Sequence, residues 1–119
     1  VPFHCTASGK TFLASLPMAK LKSFLATLHL QAMTQNTHVS TATLLTEIAQ
    51  VRKNGYALDQ EEFMDDMVAI AVPVTDPKNR YIAALAFHGP TQRVTISDAI
   101  KSKELLQSAA RRISESLFD

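Results

Sequence analysis

The residues that could do chemistry sit in two short stretches and one isolated position. The stretches are "TASGK", residues 6–10, and "GYALDQEEFMDD", residues 55–66; the isolated position is His88. Ala7, Ser8 and Gly9 are small and stand just before a helical segment. Their backbone N–H groups could hold an anion such as a carboxylate, although an ordinary serine N-cap accounts for the same residues. Gly9-Lys10-Thr11 looks like the end of a phosphate loop. That motif needs a glycine five residues before Gly9, where the chain has His4, so nucleotide binding here is rejected. Of the five carboxylates between residues 59 and 66, Glu61, Glu62 and Asp65 read as a solvated turn. Asp59 ends "YALD" beside a sheet face, and Asp66 opens the next strand.

Other chemistries find little support. His4 and Cys5 are adjacent and would point opposite ways on extended chain, while His29 and His38 fall near loops. There is no C-x-x-C or H-x-x-x-H spacing, so no metal and no cofactor are expected. Cys5 with a distant histidine is the weakest form of a nucleophile signal, and no G-x-S-x-G elbow occurs.

These residues need elements to position them. Pro17 stands at a first helical position. Leu21, Phe24, Leu25 and Leu28 follow at helical spacing, so a helix is expected over about 17–29 after a shorter one over 9–15. Ser40 caps a third helix with Leu44, Leu45, Ile48 and Val51 on one face; Arg52 and Lys53 lie in its last turn and Gly55 at its left-handed end. "YALD" reads as a short strand. Met67–Val74 and Tyr81–Phe87 form a hairpin about "TDPKN", and Ser97 caps one long final helix. The fold class is α+β, an antiparallel sheet flanked by helices.

Alternation along the hairpin assigns Val68, Ile70, Val72 and Val74 to one face, and Tyr81, Ala83, Leu85 and Phe87 to one side of the partner. Ala69, Ala71, Ala84 and Ala86 share the other, which ends at His88. Interiors do not tolerate emptiness. Either a helix approaches that alanine face closely or a small ligand fills it.

Composition narrows the class. Apolar residues make up 46% and charged residues 19%, and the net charge is +1, which describes one small globular domain without the basic excess of a nucleic-acid binder. No stretch is long enough to span a membrane and no signal peptide is visible, and a single cysteine fits a reducing compartment, so the cytoplasm is expected. The opening "VPFHCTASGK" reads like the inside of a domain, so the chain is expected to be a fragment, or to lack ordered residues upstream.

Four stretches then carry a resemblance. They are "PFHCTASGKTFLASLP", "THVSTATLLTEIAQVRKNGYALDQEE", the spacing of Gly55, Asp59, Glu62, Ala69-Ile70-Ala71, Val74 and Asp76, and "AALAFHGPTQR". Together they resemble the effector-binding domain of the isocitrate-lyase-regulator (IclR) family of bacterial transcription factors, over essentially the whole chain. The resemblance implies a GAF/profilin-like sensor domain whose N-terminal part, with a winged helix-turn-helix, is absent from this chain. It implies a dimer or tetramer, DNA contact only through that absent module, and a small organic or sugar acid as effector. It places the effector against Ala7, Ser8 and Gly9, Asp59, Ala69, Ala86 and His88. The family's cysteine is Ala69 here, its two serines are Ala86 and His88, its usual glycine at 66 is aspartate, and Thr75 replaces an aromatic or histidine. The competing expectations are an oligomerisation module without a ligand, and a small enzyme using Asp59 and His88 as acid and base.

Overall fold

The computed structural model describes residues 2–119. Three helices come first: α1 (Ala7–Ala14), α2 (Met18–Thr27) and α3 (Thr41–Asn54). Strands β1 (Ala57–Gln60), β2 (Met67–Thr75) and β3 (Tyr81–Pro90) follow, then α4 (Ile96–Lys101) and α5 (Lys103–Phe118). The strands form one antiparallel sheet in the order β1-β2-β3. The chain is thus α+β, with helices on both sheet faces.

Local chemistry sets most boundaries. The Ser40 hydroxyl accepts the Thr43 N–H at the start of α3, and Gly55 ends that helix at φ 77°. Pro17 lies one residue outside α2, at its N-cap. The C-terminal region departs from the expected single helix capped by Ser97. Thr95 is the cap, in a reciprocal capping box with Asp98, and the chain breaks at Ser102 before α5 begins.

Leu13, Leu21, Leu25, Leu44 and Ile48 bury themselves where α1, α2 and α3 meet, beside the packed rings of Phe3, Phe12 and Phe24. On the sheet, α1 seats Ala7 directly on Ala69 and Ala71, the close approach that the alanine face permits. The opposite face carries Val72 and Val74 against Ala110, with Leu85 and Leu106 alongside. Ile113 and Leu117 of α5 remain exposed.

A bulge between Val74 and Thr75 changes the faces of the hairpin. It pairs Thr75 with Tyr81 and Val74 with Ala83. Tyr81 therefore leaves the side it was expected to share with Ala83 and joins α1's side, where its ring meets Phe12 edge-on at 5.6 Å.

Candidate functional site

The register places three of the candidate residues abreast. Asp59 pairs with Ala69, and Ala69 pairs with His88. The next row on the same face is Ala57, Ala71 and Ala86. Alternate residues on antiparallel strands share a face, so Asp59, Ala69, Ala86 and His88 share one. Ala7 of α1 rests on Ala69 and Ala71 above it. The shelf is closed towards β1 and open towards β3: Asp59 is 6% exposed, whereas Ala86 and His88 are exposed.

The N-terminus of α1 faces this shelf, with one change from expectation. The Gly9 N–H is already taken by the Thr6 hydroxyl at 3.0 Å, so Thr6 and not Ser8 caps the helix. Gly9 serves the backbone instead. A Cβ there would lie 2.7 Å from both the Phe3 Cα and the Pro2 carbonyl oxygen. The glycine is needed for the chain to cross itself, and the remaining N–H groups of that first turn belong to Ala7 and Ser8.

A buried ion pair joins α1 to the turn after β1. Lys10 is 0% exposed, and its Nζ donates to both Glu62 carboxylate oxygens at 2.8 and 3.0 Å. Glu62 is 3% exposed, so it does not lie in the solvated turn assigned to it, whereas Asp65 is exposed. The turn folds inward because its polar groups find partners there. Glu62 accepts the Gln60 N–H at 2.9 Å, its own N–H donates to Asp59 Oδ1 at 2.8 Å, and its carbonyl accepts the Thr37 hydroxyl at 2.6 Å. His38 Nε2 stands 3.2 Å from Glu47 and 3.8 Å from Glu62. Among the described residues no buried side-chain nitrogen or oxygen lacks a partner.

This setting tunes two groups. Burial raises the Asp59 carboxyl above its ordinary value. The Glu62 N–H works against that rise, and the Glu62 charge adds to it. Burial, with the Asp59 and Glu62 charges, pushes the Cys5 thiol up to about 11, so it stays protonated at neutral pH and is a poor nucleophile. The His4 ring is held by the Gln31 carbonyl at 2.8 Å. Among the described residues no group of three His, Cys, Asp or Glu side chains converges as a metal site would require. No helix among them is long and apolar enough to cross a membrane.

The sequence reading missed Lys10 and Glu62 as partners. Lys10 and Glu62 stand 52 residues apart, and nothing local links such positions. Asp66 acquires a reason. It adopts φ 65°, its N–H donates to Glu61 Oε1 at 2.9 Å, and its carbonyl accepts the Thr91 N–H. The left-handed region favours glycine and tolerates aspartate better than most residues, so a family glycine and this aspartate answer the same backbone demand.

Comparison with known proteins extends these observations. The family model for the C-terminal region of the bacterial transcriptional regulator IclR matches residues 1–115. The HTH-type transcriptional regulator XynR of Escherichia coli is 37% identical over 117 residues, covering 98% of this chain and 46% of XynR. The inducer-binding domain of PobR from Acinetobacter, solved as a double mutant with 3-hydroxybenzoic acid, superposes with a TM-score of 0.91 at 30% identity. That match covers 96% of this chain and 66% of the PobR domain. The C-terminal domain of E. coli KdgR gives a TM-score of 0.88 at 36% identity, covering 96% of this chain and 70% of that one. The chain spans less than half the length of the curated relatives it matches.

Proposed function

Because the chain belongs to the family of bacterial transcriptional regulator IclR C-terminal domains, whose members are regulators and not enzymes, we propose that it is the ligand-sensing part of such a regulator. Its ligand is a small metabolite carrying a carboxylate. The acid lies on the shelf of Ala69, Ala86 and His88, with its carboxylate at the Ala7 and Ser8 N–H groups. Gly9 contributes by allowing the close chain crossing. Asp59 accepts from, and His88 donates to or accepts from, hydroxyls on the ligand body. The observation that carries this reading is the row Asp59–Ala69–His88, abreast beside the start of α1. The hydroxy acid bound by the PobR domain has both kinds of group. Binding favours one of two arrangements of an attached winged helix-turn-helix, a segment outside this chain, in a cytoplasmic dimer or tetramer.

A screen of small hydroxy- and keto-acids by thermal shift tests the reading. A matching acid at about 100 times its Kd stabilises the protein by about 2.7 kcal/mol, and Ala86→Trp abolishes the effect by filling the shelf. No stabilising acid, or equal stabilisation of Ala86→Trp, defeats it. The oligomerisation reading draws on Ala7 seated on Ala69 and Ala71, which fills the middle of the alanine face; it predicts that Ala86→Trp alters self-association instead.

A further inference from the structure

A second open space lies at the far end of the face that α1 covers. It is a cleft of about 500 Å³ between the last turn of α1, the last turn of α3 and the turn joining β2 to β3. That volume falls within the range of small-molecule sites. Arg52 and Arg80 line it, and among the described residues no carboxylate does.

The two guanidinium groups are held differently. Arg52 donates from Nε to the Ala14 carbonyl at 3.0 Å and from a terminal nitrogen to the Leu16 carbonyl. Both partners are neutral, so its positive charge is uncompensated by them. Arg80 pairs through Nε with Asp76 at 2.6 Å, and the same aspartate accepts two backbone N–H groups of the turn. Each side chain is thus fixed through Nε, with terminal N–H donors to spare on its planar fork. Pro73 and Tyr81, with Ala14 and Val51, supply the apolar part of the lining. The bulge puts Tyr81 there, and its edge-on contact with Phe12 holds the ring.

We propose that this cleft binds a small organic anion, an aromatic or short aliphatic carboxylate. The carboxylate is gripped by Arg52 and Arg80 while the apolar body lies on Pro73 and Tyr81. The site is separate from the shelf at Asp59 and His88, because Thr75 and Tyr81 lie four rows of the sheet beyond the Ala71–Ala86 pair. It stands or falls independently of the proposed effector site.

The test is an NMR titration of the labelled protein with benzoate, with sodium chloride at equal ionic strength as control. The expected result is a saturable shift of the Arg52 and Arg80 Nε–H signals and of the Thr75 and Tyr81 amides that chloride does not reproduce. It persists in Ala86→Trp, where the first shelf is filled, and Arg80→Gln weakens binding about tenfold. Arg52→Lys, which keeps the charge and loses the fork, also weakens it. Shifts no larger than those from chloride overturn the proposal. So do shifts lost in Ala86→Trp, or an affinity unchanged in both arginine variants.

Discussion

Towards the first turn of α1, Lys10 is wholly buried and its charge is met by Glu62; at the last turn of the same helix, Arg52 and Arg80 line an open cleft and are met by carbonyls and a turn aspartate. The contrast shows how one helix can be sealed at one end and available at the other. A buried ammonium needs a partner of opposite charge and full hydrogen bonding, since removing either member leaves a bare charge out of water. The pair therefore ties α1 to the turn that holds Asp59. An exposed guanidinium needs little help and can exchange partners, which leaves it able to meet a ligand.

Breaking the pair gives the largest expected effect. Lys10→Met should lower stability by about 3–5 kcal/mol in urea unfolding, because Glu62 stays buried and unpaired. The double variant Lys10→Met/Glu62→Gln should recover part of the loss. Arg80→Gln at the open end should leave the unfolding midpoint nearly unchanged. Equal losses at both ends would erase the contrast.

A pH series sharpens it further. The native Asp59 carboxyl holds its proton more tightly than an unfolded one. Its contribution to stability is therefore full below the ordinary aspartate value of about 4 and is lost as pH rises through its higher native value. Asp59→Asn removes that slope, so the variant should gain on the parent as pH rises across this window, measured by unfolding at several pH values. Parallel curves would place Asp59 in an ordinary solvated setting.

The smallest effect concerns Asp66. Relief of its left-handed backbone makes Asp66→Gly stabilising by less than about 1 kcal/mol, since glycine's extra freedom when unfolded offsets part of the gain. A clear loss in thermal unfolding would mean that the aspartate side chain matters more than its φ.

What the sequence made legible was local or periodic. Ser40 and Gly55 bound α3 through hydrogen bonds to residues three and four positions away, Thr43 and Val51. Alternation put Ala69, Ala86 and His88 on one face before the register was known. Thr95-x-x-Asp98 is a capping box legible in the sequence, although Ser97 offers a competing cap two residues on. The Lys10–Glu62 pair and the bulge at Tyr81 had no such signal. One joins distant segments, and the other depends on how β3 meets β2. Residue types alone made Glu62 look wet, because burial of a carboxylate is decided by a lysine that sequence distance hides. The small residues of the shelf were legible as neighbours, while the chemistry of their ligand was not, since alanine side chains carry no polar code.

The most direct measurement is a crystal structure of the protein grown with whichever hydroxy acid stabilises it most in the thermal screen. The account predicts its carboxylate within hydrogen-bond distance of the Ala7 and Ser8 N–H groups, and a hydroxyl against Asp59 or His88. An acid found only between Arg52 and Arg80, with the shelf at Ala86 empty, would contradict it.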